Sequence, residues 1–119
     1  MYQFYQKAGK AWEVKKLWKV ADKLPLTYIP VEKFIKQDVY WNIGTFRDYA
    51  EEFKRVLQAD YSYPVLIGED DEIIDGAHRI VHAYLDGVET LKAVVLREKD
   101  FPKPYYDEHK AVRNETCKP

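Results

Sequence analysis

The stretch Pro64-Val65-Leu66-Ile67-Gly68-Glu69-Asp70-Asp71-Glu72-Ile73-Ile74-Asp75-Gly76-Ala77-His78-Arg79 holds two short apolar runs, an acidic turn between them, and a glycine just before a basic pair. Pro64 to Ile67 and Glu72 to Asp75 have strand composition, and Gly68 to Asp71 has hairpin-turn length, so the two runs are expected to pair antiparallel. After Gly76 the spacing becomes helical from His78 to Leu85 and stops near Gly87, a residue suited to a helix C-terminus. A last strand is expected over Thr90 to Leu96.

A strand ending at Asp75, then Gly76, then a helix start near His78, gathers free backbone N–H groups and the positive end of a helix dipole. Such a point attracts anions. Gly76 permits a positive φ or a close backbone approach, and Arg79 offers a planar fork suited to phosphate oxygens. The same residues also read as an ordinary strand-to-helix turn, with Asp75 capping the helix and Arg79 paired to a neighbouring carboxylate. Local pattern leaves both readings open.

Upstream, Thr45 with Asp48 three residues later forms a capping-box pattern, which predicts a helix running to about Ala59. Phe46, Tyr49, Ala50, Phe53, Val56 and Leu57 share one stripe, expected to face the core, while Glu51, Glu52, Lys54 and Arg55 are expected to point away. Leu26 to Val31 is expected to be the first strand, short or peripheral because of Pro30. Trp12, Val14, Leu17, Trp18, Val20, Ala21 and Leu24 approximate a helical period, which predicts an amphipathic helix over Ala11 to Leu24 with Trp12 and Trp18 in the core. From Glu98 onward prolines and charges prevail, and residues 98–119 are expected to form a tail that straps the surface or frays.

The chain has 119 residues, 46% hydrophobic and 33% charged, which suits one globular domain with one core. The expected division is a domain over 1–97 followed by the tail. A net charge of -1 gives no overall drive toward nucleic acid or anionic lipid, so any nucleic-acid contact would be local and nonspecific. The only cysteine, Cys117, excludes an internal disulfide framework and fits a reducing compartment. With no signal-type h-region and no membrane-length apolar run, a cytoplasmic protein without a membrane partner is expected.

The run from Arg55 through Ala59-Asp60-Tyr61-Ser62-Tyr63-Pro64, then Asp75-Gly76-Ala77-His78-Arg79 and Ala83-Tyr84-Leu85-Asp86-Gly87, resembles the ParB/sulfiredoxin-like superfamily. It is most similar to the stand-alone bacterial and phage ParB-like domains, over roughly residues 11 to 97. The resemblance implies a small α+β fold, a mixed short-stranded sheet packed with about three helices, and a nucleotide or phosphate site. It implies that His78 and Arg79 contact phosphates and that Asp75 orients the turn or holds a hydrated Mg²⁺, with ATP, ADP or CTP as the ligand. Sulfiredoxins carry a reactive cysteine directly before the His-Arg pair, and here Ala77 stands there, so sulfinic-acid repair is not expected. Partition proteins continue into helix-turn-helix and dimerisation domains, so centromere binding is not expected either.

A phosphotransfer base would come from the acidic residues after the first strand, Asp38 first and Glu32 second; either is also an ordinary solvated acid. Thr45 and Arg47 mark another anion-friendly helix start, with a plain N-cap as the alternative. His78 and His82 are four apart, but Arg79 stands where a zincin motif needs glutamate, so no metal site is expected. Tyr40, Trp41, Tyr61 and Tyr63 flank the expected cleft, as stacking platforms or as core. The expected activity is a small-molecule kinase or nucleotidase. The alternatives are a non-catalytic regulatory module that binds protein or nucleic acid, and a ParB-type nuclease.

Overall fold

The computed structural model describes residues 3–39 and 41–109. In chain order they form β1 (Phe4–Lys7), β2 (Lys10–Glu13), α1 (Val14–Ala21), β3 (Thr27–Pro30), α2 (Val31–Phe34), α3 (Phe46–Gln58), β4 (Val65–Gly68), β5 (Ile73–Asp75), α4 (Ala77–Leu85), β6 (Thr90–Leu96), a 3₁₀ turn (Glu98–Asp100) and β7 (Tyr106–Asp107). This is a small α+β domain with a four-stranded sheet ordered β3-β6-β4-β5 and a three-stranded sheet ordered β1-β2-β7. No helix among the described residues is long and apolar enough to cross a membrane.

The four-stranded sheet follows from the deciding stretch. β4 and β5 pair antiparallel across the acidic turn, and β6 returns parallel to β4 after the α4 crossover. Both faces of the sheet are covered, which is why β4 is buried at every position. Leu66, Val94 and Leu96 point to a cluster with Tyr5, Trp12, Val14 and Leu17. Val65, Ile67, Leu91 and Ala93 point to the other, with Phe34, Ile80 and Ala83. α4 ends as expected: Gly87 takes φ +73°, and the N–H groups of Gly87 and Val88 reach back to the Tyr84 and Ala83 carbonyls.

Three expectations are corrected. The predicted helix over Ala11 to Leu24 is a strand up to Glu13 and a helix only over Val14–Ala21. Ala8 and Gly9 take positive φ values, which turns the chain into a hairpin pairing Tyr5 with Trp12. Trp12 is core through this sheet, and Trp18 packs partly buried against the same cluster. The strand around Leu26 to Val31 is the third, not the first, and narrows to Thr27–Pro30; it lies at a sheet edge, where Pro30 removes no ladder bond, and Val31 already opens α2.

The stripe of α3 is the third. Val56 is its only buried residue, while Phe46 is 95% exposed and Tyr49, Phe53 and Leu57 are about half exposed or more. Helical periodicity shows that a face is apolar but not what lies against it, and α3 rests on α4 through its Val56 edge.

The segment after β6 runs along β2. Trp12 Nε1 donates to the Pro102 carbonyl at 2.8 Å, Phe101 packs on the Trp12 ring at 4.9 Å, and Tyr105 N–H donates to Ala11. Cys117 and the end of the expected tail lie outside the described residues.

Leu17 is fully buried between α1 and the sheet. Leu17→Ala is therefore expected to lower unfolding free energy by about 2–5 kcal/mol. Phe46→Ala should stay within about 0.5 kcal/mol of the parent chain in the same urea titration.

Candidate functional site

Gly76 closes β5 and opens α4 at φ +110°. A Cβ there would lie 2.7 Å from Cγ1 of Val65, so only glycine fits both the conformation and the space. The turn packs on β4, and the start of α4 borders a cleft of about 730 Å³ whose lining includes Asp38, Trp41, Asp75, Gly76, His78 and Arg79.

Asp75 does not cap α4, which has no side-chain cap. Its Oδ2 accepts from Trp18 Nε1 at 2.7 Å and its Oδ1 from Gln3 Nε2 at 3.4 Å. The carboxylate ties the turn to α1 and to the chain leading into β1. Arg79 Nη1 donates to the Pro64 carbonyl at 2.9 Å, which anchors one arm of the guanidinium to the segment before β4. Asp60 stands near it, its carboxyl held below the usual range by hydrogen bonds from Ser62 and, less strongly, by the Arg79 charge.

His78 Nε2 lies 2.7 Å from Oε2 of Glu52, and the Trp41 indole stacks on the imidazole at 4.5 Å with 9° between planes. Glu52 also pairs with Arg55. These contacts, His78 first, hold the Glu52 carboxyl below its usual range. The expectation that Glu52 and Arg55 point away is thus corrected: Glu52 meets α4, and Arg55 borders the cleft. Val56 is the one buried α3 position, and Glu52 lies one turn before it on the same side of the helix.

Of the other expected residues, Asp38 borders the cleft, and Glu32 does not; it pairs with Lys36 at 3.2 Å on the exposed side of α2. Thr45 and Arg47 also lie away from the cleft lining. Thr45 accepts from Asp48 N–H while Asp48 accepts from Thr45 N–H, so Thr45 acts as a plain N-cap. Tyr63 borders the cleft and Tyr61 donates to Asp86, while Tyr40 lies outside the described residues. His82 Nδ1 is 2.8 Å from the Ala59 carbonyl, which makes that nitrogen the donor and ties α4 to the end of α3.

The chain matches no protein-family model, no curated protein and no solved structure.

The ionisable lining mixes Asp38, Asp60, Glu72 and Asp75 with Arg55 and Arg79. Among the described residues no three His, Cys, Asp or Glu side chains gather as metal ligands. Both Asp75 oxygens already accept protein hydrogen bonds, so Asp75 fits an orienting role. Asp38 suits a hydrated Mg²⁺, which takes one or two carboxylates plus phosphate oxygens.

Two outcomes follow from this geometry. Gly76→Ala, forced into a positive φ and against Val65, should lose at least about 2 kcal/mol of stability, read as a lower urea midpoint. Because the folded state depresses the Glu52 carboxyl below its ordinary value of 4.5, its contribution is complete above that pH and disappears as pH falls through the folded value. A His78→Ala variant should therefore show a shallower acid decline in melting temperature than the parent chain.

Proposed function

We propose that this is a cytoplasmic ParB-like domain whose cleft binds the phosphate end of a nucleotide or a phosphorylated small molecule. The observation that carries the reading is the Gly76 turn: a positive-φ glycine packed on Val65 leaves the uncapped start of α4 open to the cleft, beside Arg79. The similarity of Asp75-Gly76-Ala77-His78-Arg79 to the ParB/sulfiredoxin-like turn supports it. In this reading the Ala77 and His78 N–H groups and the outer arm of Arg79 contact phosphate oxygens. The arm bonded to Pro64 fixes the fork, and Trp41 and Tyr63 offer apolar walls to a base. Asp38 serves a Mg²⁺ that accompanies ATP, ADP or CTP, or accepts the proton of a substrate hydroxyl in a kinase-type transfer.

The exposed α3 face, with Phe46, Tyr49, Phe53 and Leu57, favours one alternative. In that second reading the domain is a non-catalytic module that docks a protein or nucleic acid there.

Thermal-shift measurements with ATP, ADP, CTP and GTP in the presence of Mg²⁺ separate the two. A ligand at a hundred times its Kd adds about 2.7 kcal/mol to apparent stability, a shift of several degrees for a domain of this size. At least one nucleotide should produce it, and Arg79→Ala should abolish it, with Arg79→Lys retaining only part. No shift from any of the four at millimolar concentration removes the phosphate reading. Binding to nucleic acid that weakens steeply with salt would support the module instead.

A further inference from the structure

The apolar stripe of α3 lies open. Phe46, Tyr49, Phe53 and Leu57 recur at three- and four-residue steps with Ala50 among them, yet Phe46 is 95% exposed and the other three large side chains are about half exposed or more. Only Val56, at the margin of the stripe, is buried. The four large side chains leave roughly 500 Å² of mostly apolar surface in water, at the upper end of what a monomer carries in one patch. Two such faces pressed together would bury about 1,000 Å², the threshold of a specific interface, and the residues bordering the stripe add to that.

Charge argues against nucleic acid as the occupant. Arg47, Lys54 and Arg55 are offset on the same helix by Asp48, Glu51 and Glu52, so no basic field surrounds the stripe. The whole chain carries a net charge of -1, so two copies of it scarcely repel each other.

We infer that α3 is a self-association surface, on which a second copy of this chain docks its own α3 across a two-fold axis with the two helices running the same way. The direction follows from what borders the stripe. Arg47 and Lys54 lie on one border, a heptad apart, and Tyr49 lies on the other. In an antiparallel pair like borders meet, which would set Arg47 of each copy near Lys54 of the other. In a parallel pair opposite borders meet, and Lys54 of each copy falls beside the Tyr49 ring of the other, a favourable cation–ring contact. Val56 and Glu52, on the Tyr49 side, hold each α3 to its own domain, so the parallel pair also places the two domains on opposite sides of the helix pair. Ala50 then meets its counterpart, where a small side chain lets the helices approach, and Phe53 and Leu57 meet theirs. The inference is independent of the phosphate reading and makes this same chain, rather than an unrelated protein or nucleic acid, the occupant of the α3 face.

Sedimentation velocity on the full chain carrying Cys117→Ser, from about 1 to about 500 μM, tests it without interference from the native thiol. The weight-average mass should rise from 14.1 kDa toward twice that value as concentration increases. Phe53→Glu should weaken association about a hundredfold or more, while the far-UV circular dichroism and the urea midpoint at submicromolar concentration stay those of the parent. Phe46→Glu, at the most exposed position of the stripe, repeats the test if Phe53→Glu does not fold. In the same background a Leu57→Cys variant should cross-link to its own copy on mild oxidation, because a parallel pair brings identical positions together. A mass that stays at 14.1 kDa throughout overturns the inference and leaves the phosphate reading standing. A dimer that persists unchanged in folded Phe46→Glu and Phe53→Glu chains overturns it as well, because the contact would then lie elsewhere. A dimer in which Leu57→Cys does not cross-link overturns the parallel pairing.

Discussion

Gly76 stands against Val65 so closely that no side chain fits between them, and the arrangement of the cleft depends on that approach. β5 is an edge strand only three residues long. A positive φ then reverses the chain direction at once instead of after a loop. α4 consequently starts on the sheet, with Ile80 and Ala83 buried against Val65 and Ile67. The residues of its first turn that do not face the sheet, His78 and Arg79, are thereby delivered to the cleft. A longer connection would satisfy the same strand pairing but would let the helix start drift away from Asp75 and Pro64.

The turn is also held from the opposite side. Asp75 receives the Trp18 indole and the Gln3 amide, while Tyr5 donates to Glu72 at 2.5 Å and Lys7 pairs with Asp70 at 2.9 Å. The Lys7 pair is exposed and contributes little by itself. The Tyr5 contact differs, because burial together with the Glu72 carboxylate raises the phenol well above its ordinary range and keeps it a donor. The small sheet of β1, β2 and β7 is thus a brace for β5, and its aromatic residues Tyr5 and Trp12 pack with Phe101 from the segment before β7.

Where neighbouring residues decide the conformation, the sequence was legible. The β4-β5 hairpin, α4 with its Gly87 stop, β6 and the Thr45 cap all rest on local signals: a turn flanked by apolar runs, a glycine where φ is positive, a capping box. Where distant residues decide, it was not. Trp12 and Val14 fit a helical period, yet Trp12 is a strand residue because Ala8 and Gly9 turn the chain back and Tyr5 lies opposite. Asp75 reads locally as a helix cap, but the Trp18 indole far away in sequence takes its carboxylate. Within the site, Asp75, Gly76, His78 and Arg79 could be picked out beforehand because they are consecutive. Glu52 could not, since nothing near it in sequence signals an imidazole 26 residues later.

α3 shows why amphipathicity alone misassigns a helix. Its apolar stripe and its buried edge are different faces: Val56 is buried, and the residues flanking that edge are Glu52, which reaches His78, and the end of the helix, where Ala59 accepts from His82. Little apolar area therefore holds α3 to the domain, and the remaining attachment is polar and passes through α4. The polar contacts that orient the His78 ring also seat the helix that exposes Phe46, Tyr49, Phe53 and Leu57. The exposed face and the cleft thus share one helix–helix contact.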